Sequence, residues 1–282
     1  MRYLDLPGGS SIPSLGLGTW HMGEAAGHRT AELAAVRAAI DMGYRLIDTA
    51  EMYGEGGAEE VVGQAVAAAL RAGDVQREDL FIVSKVYPHN ASRKGTPAAC
   101  ERSLSRLGLD HIDLYLLHWR GEHPLSETVD AMRSLVAHGR IRHWGVSNFD
   151  VDDMEELETV DDACAANQVY FSVGERGAEF SLLPWQRERG MPLMAYSPID
   201  QGALVADPAL SKLAQKLGIS TAQLALAWVV SQPGVVAIPK AVRDAHLREN
   251  FAAADLALSA ETLAEISRLH PPPGRKKPLA MI

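Results

Sequence analysis

The chain is short of cysteine, of positive charge and of long apolar runs, and each shortage removes a class of protein. Only Cys100 and Cys164 are present; two cysteines make no disulfide framework and carry no metal-ligand spacing, so a reducing, cytoplasmic setting is the expectation. The formal net charge of −9 gives no electrostatic help to a nucleic-acid or anionic-membrane partner, and neither is expected. The longest apolar run, around residues 222–230, is too short to span a bilayer, and residues 1–9 lack the apolar stretch of a signal peptide. A Gly-x-Gly-x-x-Gly dinucleotide loop is missing too. Gly16-Leu17-Gly18-Thr19-Trp20-His21 has histidine where the last glycine belongs, and Gly54-Glu55-Gly56-Gly57-Ala58-Glu59 fails in the same place. His118 and His123 have neither a cysteine pair nor a His-Glu-x-x-His helix beside them, so no metal site is expected.

What is present is a regular alternation. With 47% hydrophobic residues among 282, the chain can bury a large core, and residues 1–282 read as one domain. Turn residues Pro7-Gly8-Gly9-Ser10 predict a small hairpin before the first core strand. Core strands are then expected at residues 15–18, 44–48, 80–85, 112–118, 141–147, 165–169, 192–196 and 235–239, separated by amphipathic helices. The first of these helices, residues 30–42, is expected to be capped by Thr30 and stopped by Gly43. Strands that are apolar on both faces imply a parallel sheet covered by helices. Without a glycine fingerprint, and with charged groups at several different strand ends, the fold class is α/β and the architecture a (β/α)8 TIM barrel with an N-terminal β-hairpin. Residues 270–277 read as an irregular extension with solvated basic side chains.

The chemistry gathers on Leu46-Ile47-Asp48-Thr49-Ala50-Glu51-Met52-Tyr53, where an apolar strand ends in a carboxylate and a phenol follows five residues later. Taken singly, Asp48 is an ordinary loop or capping carboxylate, Lys85 a surface lysine, His118 a satisfied histidine and Tyr53 a packing aromatic. In a barrel, however, Asp48, Lys85 and His118 end the second, third and fourth strands and meet at one mouth. A lysine beside a phenol favours the phenolate, so the Tyr53 pKa is expected to move down toward the working pH. Asp48 would fix and charge the lysine, and His118 would orient a carbonyl. Such a set protonates a carbonyl oxygen while hydride comes from elsewhere, which implies a nicotinamide.

The sequence resembles the aldo-keto reductase family over nearly its whole length. The residues that carry the resemblance are Gly18-Thr19-Trp20, Asp48-Thr49-Ala50 with Met52-Tyr53-Gly54, Ser84-Lys85, Leu116-Leu117-His118-Trp119, Gly145-Val146-Ser147-Asn148-Phe149, Asn167-Gln168-Val169, Ala195-Tyr196-Ser197-Pro198, Ile238-Pro239-Lys240 and Glu249-Asn250. Residues 48–63 and 139–148 are similar to bacterial members that reduce methylglyoxal and related small aldehydes. The resemblance implies that Tyr53 is the proton donor, Lys85 and Asp48 its support and His118 the orienting group. It implies NADPH as cofactor, with NADH possible. Ser147, Asn148 and Gln168 would hold the carboxamide, and Tyr196 would stack on the ring. Ser197, Ile199 and Gly202 would lie along the pyrophosphate, with Lys240, Ala241, Val242, Arg243, His246, Glu249 and Asn250 around the adenosine end. Gly18, Thr19 and Trp20 would complete the cofactor wall. Ala241 and His246 depart from the serine and arginine of many NADPH-using relatives, which weakens the grip on a phosphate. Short loops after His118 and Tyr196 imply a small substrate pocket of Trp20, Met22, Met52, Tyr87 and Trp119, open to small aldehydes or ketones. A monomer is expected. A cofactor-binding regulatory subunit without catalysis, and a barrel hydrolase or isomerase of another family, remain as alternatives.

Overall fold

Short apolar runs, each bounded by glycine or a polar loop, form strands whose two faces are both buried, and the amphipathic stretches between them form the covering layer. The computed structural model describes residues 1–282. The elements are, in order, β1 (Tyr3–Asp5), β2 (Ser11–Pro13), β3 (Gly16–Gly18), α1 (Arg29–Met42), β4 (Leu46–Asp48), α2 (Gly57–Ala72), β5 (Phe81–Val86), α3 (Gly95–Leu107), β6 (Ile112–Leu117) and α4 (Leu125–Ala137). They continue with β7 (Ile141–Ser147), α5 (Val151–Val160), β8 (Asn167–Tyr170), α6 (Leu182–Glu188), β9 (Leu193–Tyr196), α7 (Pro208–Leu217), α8 (Thr221–Ser231), β10 (Val235–Ala237), α9 (Asp244–Ala253) and α10 (Ala260–Leu269). β1 and β2 pair antiparallel as the expected hairpin. β3 to β10 form one eight-stranded sheet in sequence order, parallel throughout. Bridges between Leu15 and Ala237 and between Gly18 and Lys240 join its two edges into a barrel. Gly18 is held to glycine by that closure, because a Cβ there would stand 2.6 Å from the Ile238 carbonyl oxygen.

Two apolar cores result. Inside the barrel, Leu46, Val83, Leu114, Leu116, Met194 and Val236 pack together, and Leu6 and Ile12 of the hairpin region belong to the same cluster. The larger core lies between strands and helices. Since all eight strands run the same way, the residues at their C-terminal ends share one rim. Backbone strain concentrates there as well: the non-glycine residues with positive φ are His21, Glu55, Asn148, Ser197, Asp200 and Gln201, all in loops that follow strands.

The expected elements are found with bounds shifted by one or two residues. One cap differs. α1 starts at Arg29 with His28 at the N-cap and no side-chain cap, because the first helical bond runs from the Glu32 N–H to the His28 carbonyl and places Thr30 inside the helix. The Glu32 side chain accepts from the Gly23 N–H and ties the helix start to the loop before it.

Gly63 on α2 tests how tightly the outer layer is packed. Alanine in a helix interior normally gains up to about 1 kcal/mol over glycine. Here its Cβ would stand 2.5 Å and 2.6 Å from the carbonyl oxygens of Leu107 and Arg106, forcing α2 off α3. Gly63→Ala is expected to destabilise by about 1–2 kcal/mol, the overpacking cost less the helix gain. Urea midpoints of the two proteins measure it; a stabilised variant would show that the helices separate freely.

Candidate active site

The rim is built around an ammonium with no exposed surface. Lys85, near the end of β5, is fully buried. Its Nζ donates to Asp48 Oδ2 at 2.7 Å, to the Thr49 carbonyl at 2.9 Å and to Tyr53 Oη at 3.1 Å. Those three bonds use every N–H of the ammonium. Tyr53 Oη therefore accepts from lysine and keeps its own O–H to donate into the cavity. Burial is the largest single influence on Lys85 and works to discharge it. The Asp48 carboxylate and Tyr53, with their hydrogen bonds, outweigh it and hold the pKa above the usual 10.5.

Tyr53 departs from the sequence expectation. Burial raises its pKa more than Lys85 lowers it, and Asp48 adds to the rise, so the phenol lies above its ordinary 10.0. The lysine does not bring Tyr53 toward neutral pH before reaction. It holds a positive charge 3.1 Å from the phenol oxygen, and the phenol stays protonated at pH 7. The His118 ring meets the Tyr53 ring edge-on, with centroids 5.7 Å apart. Its Nδ1 is buried without a partner. Burial, and then the Lys85 charge, push its pKa well below the usual 6.5, so the ring is neutral.

A second ring of polar groups locks the first. Gln168 on β8 donates its amide to Asp48 Oδ1 at 2.7 Å. The Ser147 hydroxyl donates to the Gln168 carbonyl at 2.8 Å. Asn148 donates to the His118 carbonyl at 3.1 Å and accepts from Tyr196 Oη at 2.9 Å. Residues expected only to face a cofactor thus also hold Asp48 and the His118 backbone in place.

These groups lie in a cavity of about 1040 Å³, open at the mouth. Asp48, Tyr53 and His118 line it, as do Gly18, Trp20, Met52, Trp119, Ser147, Asn148, Gln168 and Tyr196. Ser197, Ile199 and Gly202 follow along one side, and Lys240, Arg243, His246, Glu249 and Asn250 form the far end. Other candidates fall outside the wall. Met22 is fully buried in the outer core. Thr19 is buried and donates its hydroxyl to the Asp48 carbonyl at 2.9 Å, supporting the site from behind. Tyr87 stands edge-on to Trp119 and donates to Glu55 at 3.3 Å. Ala241 and Val242 pack against the outer core. Sequence reasoning missed Ser220, Thr221 and Ala222, which bring the start of α8 to the cavity's far end; Ser220 and Gln223 form a capping box that a search for Ser-x-x-Gln would have found. It also missed Met281 and Ile282, which the tail delivers to the mouth.

A parallel barrel with a buried lysine bonded to a tyrosine hydroxyl at its mouth, and with a polar groove beside them, is the architecture of a carbonyl-reducing oxidoreductase. The chain belongs to the aldo/keto reductase family, which it matches over residues 14–270. It is 46% identical to the methylglyoxal reductase YeaE of Escherichia coli (strain K12), covering all of this chain and 99% of that one. It is 38% identical to a glyoxal reductase of Bacillus subtilis (strain 168), over 95% of this chain and 92% of the relative. Among solved structures, an aldo-keto reductase from Klebsiella pneumoniae in complex with NADPH superposes with a TM-score of 0.94 at 48% identity, covering 100% of this chain and 99% of that one.

Asp48→Asn is expected to be costly beyond its effect on rate. It leaves the buried ammonium without its counter-charge, and breaking one side of a buried pair destabilises by about 3–5 kcal/mol. Because the folded-state pKa of Lys85 lies above 10.5, this stabilisation is complete at neutral pH and is lost as pH rises through the folded value. Guanidinium unfolding of parent and variant at pH 7 and at strongly alkaline pH measures it. A difference that persists unchanged into alkali would mean the pair contributes no charge interaction.

Proposed function

We propose that the protein reduces small aldehydes, 2-oxoaldehydes above all, to alcohols with NADPH, using Tyr53 as the proton donor. The observation that carries the reading is the Lys85 ammonium, which gives its third hydrogen bond to the Tyr53 oxygen on the floor of the cavity. The groove suits a dinucleotide phosphate. Lys240 and Arg243 face it with no carboxylate partner from the chain, and the start of α8 adds the positive end of a helix dipole beside them. Near the tetrad, Tyr196 offers an aromatic face, and Asn148 and Gln168 offer amides for a carboxamide. A reduced nicotinamide bound there supplies hydride to the carbonyl carbon.

The residues do the rest. Tyr53 Oη hydrogen-bonds the carbonyl oxygen and passes it a proton as negative charge develops. Lys85, 3.1 Å away, stabilises the phenolate left behind. Asp48, held by Gln168, keeps the ammonium charged. Neutral His118 orients the carbonyl without competing as an acid. Water then reprotonates Tyr53. Trp20, Met52 and Trp119 line the same cavity as Tyr53 and His118, and a small carbonyl that an electron-withdrawing neighbour makes a better hydride acceptor suits such a site. The relatives named for methylglyoxal and glyoxal reduction support that substrate class.

Initial rates with methylglyoxal, a nitro-substituted benzaldehyde, glucose and an oxosteroid test the reading; the first two are expected to have the highest kcat/KM, and a steroid ranking first would overturn it. Tyr53→Phe is expected to lose roughly a hundred- to ten-thousand-fold in kcat while still binding cofactor, since only the positioned proton is removed. Near-parental turnover would dismiss Tyr53 as the acid. NADPH is expected to outcompete NADH, by a margin that narrows with added salt. Removing Lys240 or Arg243 is expected to cut the NADPH preference roughly tenfold each, read from the two cofactors' Kd values. Equal affinities in the parent at low salt would defeat the assignment.

A further inference from the structure

Helix α3 contributes no side chain to the cavity, yet Arg102 reaches the loop that carries Tyr53 and Arg106 reaches the first turn of α2 just after it. We propose that the face of α3 bearing Arg102 and Arg106 is the positioning device that sets Tyr53 against Lys85, acting through Glu51 and Glu59. This rests on the reading of Tyr53 as proton donor.

Arg102 and Arg106 are four residues apart, on one face of the helix. Arg106 Nε donates to Glu59 Oε2 at 2.6 Å, and the other oxygen of this fully buried carboxylate accepts from Ser84 Oγ at 2.5 Å. Ser84 precedes Lys85 in β5. Alternation along the strand sends the serine outward to the helices and the lysine inward to the site. Arg102 reaches Glu51 Oε2 at 3.4 Å, while Glu51 Oε1 accepts from the Tyr87 N–H at 2.7 Å and from Asn90 at 3.0 Å. Glu51 and Glu59 therefore flank Tyr53, and each is tied to a residue that flanks Lys85.

Between the two ties the chain takes a conformation that needs holding. Gly54, Glu55 and Gly56 have φ of 58°, 51° and 91°, a left-handed run that is costly for the glutamate and persists only when its surroundings fix it. Arg106 lies directly against it, since a Cβ on Gly56 would stand 2.5 Å from Arg106 Nε. For stability alone, apolar residues could replace a buried ion pair of this kind at little loss, whereas a pair fixes register. Here the register is that of the donor loop on the strand of its lysine. An error of about 1 Å in such an alignment costs on the order of a hundredfold in rate.

The test compares Arg106→Met, Arg106→Lys, Glu59→Gln and Gly56→Ala with the parent. Single-turnover hydride transfer from NADPH to methylglyoxal is expected to fall roughly ten- to a hundredfold in Arg106→Met and Glu59→Gln, with cofactor Kd changed by less than about threefold. Arg106→Lys is expected to recover most of that loss. A readout independent of turnover is the titration of Tyr53, followed by NMR of carbon-labelled tyrosine and assigned by the signal absent from Tyr53→Phe. It is expected to move to higher pH in the variants, because the ammonium that opposes burial is no longer held against the phenol. Folded Arg106→Met and Glu59→Gln proteins that bind cofactor as the parent does, transfer hydride at the parental rate and leave the Tyr53 titration unmoved overturn the proposal. Should Arg106→Met not fold, Glu59→Gln, which removes the charge of the same pair from its other side, decides the question. A parent inactive on every aldehyde would remove the functional reading alone, since the titration still reports whether α3 sets the contact.

Discussion

A charged lysine with no access to water is the constraint around which the rim is arranged. An ammonium taken out of water costs several kcal/mol even after relaxation. Lys85 is kept charged only because each of its three N–H groups meets an oxygen and one of those oxygens is a carboxylate. The requirement then spreads outward. Asp48, nearly as buried, needs a donor on its second oxygen and has it from Gln168. The Gln168 carbonyl takes the Ser147 hydroxyl, and Asn148 links the His118 backbone to Tyr196. Ends of β4 through β9 are thereby joined by side chains as well as by the sheet, and the site has little freedom to relax away from its working geometry.

The two ends of the barrel treat similar residues differently. Asp113, in β6 and away from the mouth, is also buried, but it accepts from the Ile82 N–H and pairs with Arg77 and Arg142. None of these partners lines the main cavity. Asp48 differs in that its partner lysine has a bond to lend to a phenol at the cavity floor. Strained backbone follows the same division, gathered in the loops after strands. The N-terminal hairpin, by contrast, stops the other end with Leu6 and Ile12. Stability at one end leaves the other free to carry strain.

Much of this was legible because the polar residues that matter interrupt apolar runs. Asp48, Lys85 and His118 stand out as the single polar ends of otherwise buried strands, and parallel alternation brings such ends together. The direction of the Tyr53 shift was not legible, since it depends on how completely remote parts of the chain exclude water from the phenol. Met22 and Met52 look alike in sequence; the turn at His21, with φ of 64°, sends Met22 into the outer core while Met52 lines the cavity. The α1 cap differs from the expected Thr30 because the helix opens earlier, with the Glu32 N–H bonded to the His28 carbonyl. Met281 and Ile282 could not be assigned to the mouth from local pattern, because the preceding tail is pinned by Lys276 to Asp150 and Asp152, more than a hundred positions earlier.

The closure of the barrel differs from its other joints. β3 and β10 are connected by isolated bridges rather than by a continuous ladder, and the two lips of that seam, Gly18 on one side and Ile238, Pro239 and Lys240 on the other, all line the cavity. A molecule lying across them would touch both lips and span strands that the backbone joins only at isolated bridges. Ligand affinity and barrel integrity are then linked quantities, as binding to the closed form alone requires. A ligand that binds only the closed seam adds to its stability by an amount set by the ligand's own affinity and concentration.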